Sequence, residues 1–204
     1  MKNFVKLLTG IAALSFVAPA QAAIPVYSAP GTENSTVFSF TAVSDGDLVA
    51  YFAGKSAGFT SVLGALVNGV DTGIQGLNSQ TATLGQSLNF GSVSAGDVLT
   101  FYINVTNIGQ NFFSDPTLNS DGFNHAWSTT YGGGDFGLPA GTFVSFEDLQ
   151  GGGDKDYNDL NFVFTNAVAT SAIPEASTWG MLIVGLGAAG AMLRRRRNTK
   201  VSFA

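Results

Sequence analysis

The 204-residue chain contains no cysteine and a single histidine, His125. The first absence excludes a disulfide framework, a zinc–thiolate site, an iron–sulfur cluster and a thiol nucleophile. The second excludes any multi-histidine metal centre. Positive charge is scarce too: 9 Lys and Arg stand against 14 Asp and Glu, a formal net charge of −5. A nucleic-acid binder needs a basic face, so no nucleic-acid partner is expected. No long internal repeat is present, which disfavours a solenoid or a propeller. What the chain does have is 45% hydrophobic residues, 17 phenylalanines and 26 glycines. That is enough apolar material for one packed domain of ordinary size.

The charge is segregated. Residues 1–22 carry +2, from Lys2 and Lys6. Residues 23–173 carry −11, with Lys55 and Lys155 set against 13 acids. Residues 174–204 carry +4, from four arginines and Lys200 against Glu175. Three segments with different electrostatics imply three different roles.

The first segment reads as an export signal over residues 1–22. Met1–Lys6 is basic, Leu7–Val17 is apolar, and Ala20-Gln21-Ala22 supplies the small-x-small site that signal peptidase accepts. Ala20 and Ala22 are therefore expected processing residues, and the mature chain is expected to begin near Ala23, outside the cytoplasm.

The last segment reads as a membrane anchor. Trp179–Leu193 is uncharged, and Arg194, Arg195, Arg196 and Arg197 follow at once. A helix over that stretch would be roughly 22 Å long, slightly short of a bilayer core. Extension to residues 178–193, with snorkelling arginines, makes a thin-membrane span. The arginines orient it so that the basic tail, 194–204, stays in the cytoplasm. An Ala/Ser/Thr linker over 169–177 precedes the span, and within it Pro174-Glu175 breaks any helix and presents an extended, cleavable peptide.

Pro174-Glu175, Trp179-Gly180-Met181-Leu182-Ile183 and the arginine cluster together resemble the PEP-CTERM sorting tail of Gram-negative bacteria. The chain departs from that pattern at Ala176, where the family has a second proline, and at Gly180, where it has alanine. The resemblance implies processing by a membrane-embedded exosortase, an intermediate anchored in the inner membrane, and delivery to the cell surface or an exopolysaccharide matrix.

The body, residues 23–168, is expected to be all-β. Phe38 and Phe40 alternate with Ser39 and Thr41; Leu99, Phe101, Ile103 and Val105 alternate with Thr100, Tyr102, Asn104 and Thr106. Leu160, Phe162 and Phe164 follow the same period, and 48–53, 61–68, 87–93, 125–131 and 142–146 have strand length and composition. Turn signals separate them at Asp45-Gly46, Asn68-Gly69, Asp71-Thr72-Gly73, Ala95-Gly96-Asp97 and Asp121-Gly122. Eight or nine short strands with aromatic faces predict an antiparallel two-sheet β-sandwich, jelly-roll-like in outline.

One segment concentrates chemistry. Between Phe146 and Leu160 lie Glu147, Asp148, Gln150, Asp154, Asp156, Asn158 and Asp159, with Gly151-Gly152-Gly153 in the middle. The glycines let the chain fold back so that Glu147 and Asp148 approach the Asp154–Asp159 run. Carboxylates this dense repel one another, Lys155 is the one base among them, and Ca²⁺, taking six to eight oxygens, would relieve the repulsion. Asp154-x-Asp156-x-Asn158 copies the first half of an EF-hand loop, but Asp159 replaces the required glycine and strands flank the segment. The segment resembles the signature of a bacterial surface domain of unknown function, marked by F-E-D-L, a glycine run and D-x-D-Y-N-D, to which Asn119–His125 also belongs. The resemblance implies calcium as cofactor, with Glu147, Asp148, Asp154, Asp156, Asn158 and Asp159 as ligands and Asp121 as a weaker addition. The alternative is an acidic solvated hairpin whose Asx side chains cap their own turns.

Other motifs are decoys. Gly54-Lys55-Ser56-Ala57-Gly58 spells a nucleophile elbow, which belongs on a strand-to-helix turn. His125 reads as structural, and Trp127 as the one candidate for an exposed platform. No enzyme is expected: the leading reading is an exported structural or interaction protein of the surface or matrix. The alternatives are a secreted carbohydrate- or ice-binding module and, last, a secreted hydrolase.

Overall fold

The computed structural model describes residues 23–171, 183–190 and 192. Alternating apolar residues put one face of each strand against a core, and eleven strands form in the body. They are β1 (Phe38–Ala42), β2 (Gly46–Lys55), β3 (Ser61–Val67), β4 (Val70–Gly76), β5 (Ser87–Val93) and β6 (Val98–Val105), then β7 (Gln110–Phe113), β8 (Ala126–Tyr131), β9 (Gly141–Phe146), β10 (Leu160–Thr165) and β11 (Ala167–Ser171). One sheet runs β11-β1-β6-β3-β4, with β7 also paired to β6; the second runs β5-β2-β10-β9-β8. Every pairing is antiparallel.

The two sheets share a core. Phe40, Phe101, Ile103 and Phe112 of the first meet Phe52, Val144, Phe146, Phe162 and Phe164 of the second. Phe101 stacks on Phe164 at 3.7 Å between ring centroids, and full burial of each such ring contributes about 1.5–3 kcal/mol. The expected all-β sandwich is therefore the fold. The outer face of the second sheet is covered as well. Ala53, Tyr131, Leu138, Phe143 and Val163 are buried there, with Ile24, Tyr51 and Trp127 packed against them.

Three strands depart from the sequence reading. Asp71-Thr72-Gly73, read as a turn, lies inside β4, which pairs with β3 through Leu66↔Asp71, and Tyr102 on β6 reaches over Gly64 to donate its hydroxyl to Asp71. A Cβ at Gly64 would fall 2.2 Å from the Tyr102 ring, so only glycine admits this crossing. The four residues of β7 are too few for a period-2 signal, and pairing with β6 makes them a strand. Residues 169–171, assigned to the linker on composition, complete β11, which pairs with β1 from Ala42↔Ala167 to Phe38↔Ser171.

The expected sorting residues Ala20, Ala22, Pro174, Glu175, Trp179, Arg194, Arg195, Arg196 and Arg197 lie outside the described residues. Within the expected span over 178–193, residues 183–190 and 192 are helical. Among the described residues no helix is long and apolar enough to cross a membrane.

Candidate metal centre

The acidic segment is the connection between β9 and β10. Those strands close with Phe146 opposite Leu160, so Glu147 and Asp159 leave the sheet side by side. The chain then turns through a short 3-10 segment, Gln150–Gly152, and left-handed residues at Gly151, Gly152, Lys155 and Tyr157 fold it back under itself. A Cβ at Gly152 would lie 2.0 Å from the Phe123 ring, so the bend requires glycine there.

The fold-back brings three carboxylates together. One oxygen each from Glu147, Asp154 and Asp156 lies within 4.8 Å of the others. Two oxygens on one Ca²⁺, each about 2.3–2.6 Å from the ion, are at most about 5 Å apart. The donor set therefore fits a hard divalent cation in both chemistry and spacing. Glu147 is fully buried at 0% exposure, Asp156 is half-buried and Asp154 is exposed, so the cluster opens outward on one side. The Tyr157 backbone N–H donates to Glu147 Oε1. Glu147 Oε2 is buried with no hydrogen-bond partner, and so is Asp148 Oδ2. An orphaned buried carboxylate oxygen is destabilising unless something positive meets it. Lys155 does not: its ammonium sits over the Phe123 ring, 5.4 Å from the centroid.

The electrostatics agree. Burial, reinforced by Asp159, Asp154 and Asp156, raises the Glu147 pKa to about 8 against the pull of the Tyr157 N–H. Burial also raises Asp159, to about 7, against the pull of the Asp148 N–H and with the Asp148 carboxylate adding to the rise. Asp148 rises through burial, and Asp156 through burial and then Asp154. Without a cation the loop holds protons at pH values where carboxyls are ordinarily ionised.

The remaining expected ligands lie around the triad. Asp148 and Asp159 pair with each other, the Asp148 N–H donating to Asp159 Oδ2 at 2.9 Å. Asn158 donates its side-chain amide to Asp156 and so orients that carboxylate. Asp121 holds the scaffold instead of joining the triad. It accepts from the Phe123 N–H (3.0 Å) and the Gly151 N–H (2.8 Å), and lies 3.1 Å from His125 Nε2. Burial works to raise the Asp121 pKa, but those donors hold it below the usual carboxylate range. His125 is buried and stacked on Phe112 at 3.9 Å, with Nδ1 3.1 Å from the Glu147 carbonyl. Burial lowers its pKa, and Asp121 opposes that shift. Gly54-x-Ser56-x-Gly58 straddles the end of β2 in an all-β setting, not a strand-to-helix turn.

Sequence reasoning overlooked Tyr157 and the strap of residues 23–36. The Tyr157 hydroxyl donates to the Asn124 carbonyl (2.8 Å) and accepts from the Asn34 N–H (2.9 Å), while Tyr27 meets its ring edge-on at 4.8 Å. Tyr27 also covers Trp127, which is half-buried, and Gly31 donates its N–H to the Lys155 carbonyl. The available signal was an aromatic placed between acids, where a solvated hairpin has no use for one.

Two family models match the chain. One, described as a domain of unknown function (DUF4114), covers residues 32–167. The other, described as a PEP-CTERM protein-sorting motif, covers residues 172–197. No curated protein and no solved structure matches.

Proposed function

The chain belongs to the DUF4114 family of domains of unknown function, and on that footing we propose that it is a non-enzymatic surface or matrix protein whose β-sandwich is held in its working form by Ca²⁺ in the β9–β10 loop. Its sorting motif marks it as an exported substrate of an exosortase. The proposed destination is the cell surface or an exopolysaccharide matrix, where a strongly acidic domain would meet calcium at ambient concentrations. Even an affinity of ~10⁻⁴–10⁻³ M suffices in such surroundings.

The observation that carries the calcium reading is Glu147: a fully buried carboxylate, one oxygen unpartnered, converging with Asp154 and Asp156 while the loop's lysine faces elsewhere. Ligand binding to the native state alone raises stability by mass action. Thermal melts of the exported domain in millimolar Ca²⁺ should therefore lie several degrees above melts in chelator. Tb³⁺ should bind in place of Ca²⁺ and luminesce through Tyr157. Coincident melts, together with no sensitised Tb³⁺ emission, would reject the site.

A further inference from the structure

The fold ends where the sorting motif begins: β11 closes at Ser171 and the matched motif starts at residue 172. Pro174 follows three residues after Ser171, so it lies within roughly 10 Å of the end of the strand even when the chain is fully extended. An enzyme that takes its substrate as an extended peptide grips several residues beside the bond it cuts. A grip extending N-terminally from Pro174 would reach the end of β11 within three residues.

β11 is built to yield. It is an edge strand paired with β1 alone, and only Ala167 of its five residues is buried. Thr142 fixes the buried end by donating its hydroxyl to the Ala167 carbonyl at 2.7 Å. The outer end is fastened by the ladder, by Ala169 at the margin of the core and by a 3.3 Å bond from Thr170 Oγ1 to the Ser39 carbonyl. Its open side borders a cleft of about 270 Å³ lined by Phe38, Thr129, Thr130, Val168, Ala169 and Ser171, with no charged side chain among its lining residues. Peeling residues 168–171 from β1 would withdraw only Ala169 from the margin of the core, leave its buried residues in place and add roughly 13 Å of chain ahead of the motif.

We propose that β11 is a releasable strand, peeled from β1 when the processing enzyme takes up the sorting motif, so that the stability of one edge pairing governs release of the domain. This inference rests on the sorting-tail reading. Ser39 and Thr170 face each other across the pair, and in a chain without cysteine a Ser39→Cys/Thr170→Cys variant can lock β11 to β1 with one disulfide. The full-length chain is followed in cells that carry an exosortase, reading shortened against intact protein by mass spectrometry. The locked variant, its disulfide verified, should be processed about tenfold more slowly or worse. The single-cysteine variants should match wild type, and a flexible Gly/Ser insert of about ten residues after Ser171 should restore processing of the locked chain. A locked chain processed at the wild-type rate overturns the proposal, as does an insert that restores nothing. A wild-type chain that keeps its C-terminus intact overturns the sorting reading and this inference with it.

Discussion

Glu147 is fixed at both of its ends. Its N–H donates to the His125 carbonyl at 3.0 Å, and Oε1 receives the Tyr157 N–H. The second carboxyl oxygen is left inside the protein with nothing to meet. Replacement by glutamine keeps an oxygen for Tyr157 and puts an amide where the orphan stood, able to donate toward Asp154 or Asp156. Glu147→Gln should therefore leave the chelated domain as stable as wild type or more so, by about 1 kcal/mol, on the scale of a typical net hydrogen bond. It should also abolish the stabilisation by Ca²⁺. Paired melts of both proteins with and without calcium test this, and a full calcium shift in the variant would place the ion elsewhere.

The loop between β9 and β10 is bound to the N-terminal strap through Tyr157, so the two elements should respond together. Binding that orders one is expected to order the other, and the coupling is reciprocal. Trp127 reports on it, because Tyr27 lies against its ring at 5.7 Å. Tyr27→Ala should weaken calcium binding several-fold and make residues 23–31 more sensitive to protease. Calcium affinity and proteolysis at wild-type values in that variant would show the strap to be passive. Other elements show what a sequence pattern can carry. The strands β6 and β10 were legible because each alternates over six residues or more around large apolar side chains. β4 was not, since its turn-like Asp71-Thr72-Gly73 is held in a strand by pairing with β3. β11 was not either, since its small residues become a strand only by pairing with β1, far away in the chain. The acidic loop was legible as a cluster of oxygen donors. Which of them converge depends on the left-handed residues at Lys155 and Tyr157 and on the employment of Asp121 by backbone donors, and neither leaves a mark in composition.

Taken as a whole, the body of 23–173 carries −11 with two lysines, and its most crowded carboxyls are the ones whose pKa values rise. Their share of the pH response therefore has a definite sign, and His125, whose pKa burial lowers, works against it as the smaller contribution of one group. A group whose folded pKa lies above its unfolded value contributes stability that is complete below the unfolded pKa and is lost as pH rises through the folded one. For Glu147 that window runs from 4.5 to about 8. For Asp159 it runs from 3.8 to about 7. In chelator the melting temperature should therefore fall as pH rises from 5 to 8. Saturating Ca²⁺, which favours the ionised carboxylates, should flatten or reverse that fall, and its affinity should weaken toward pH 5. Melts across this range in both conditions decide the point, and a chelated domain that gains stability toward pH 8 would contradict it.

The pairing of β1 with β11 joins the first strand of the sandwich to its last. During synthesis from the N-terminus the first sheet therefore lacks one edge until almost the whole body has been made. Closing so long a loop comes late in folding for entropic reasons as well. Completion of the fold thus falls when the sorting segment is next to be made. Architecture alone makes the order of events a clock, in which the domain is finished just as the signal for its release arrives.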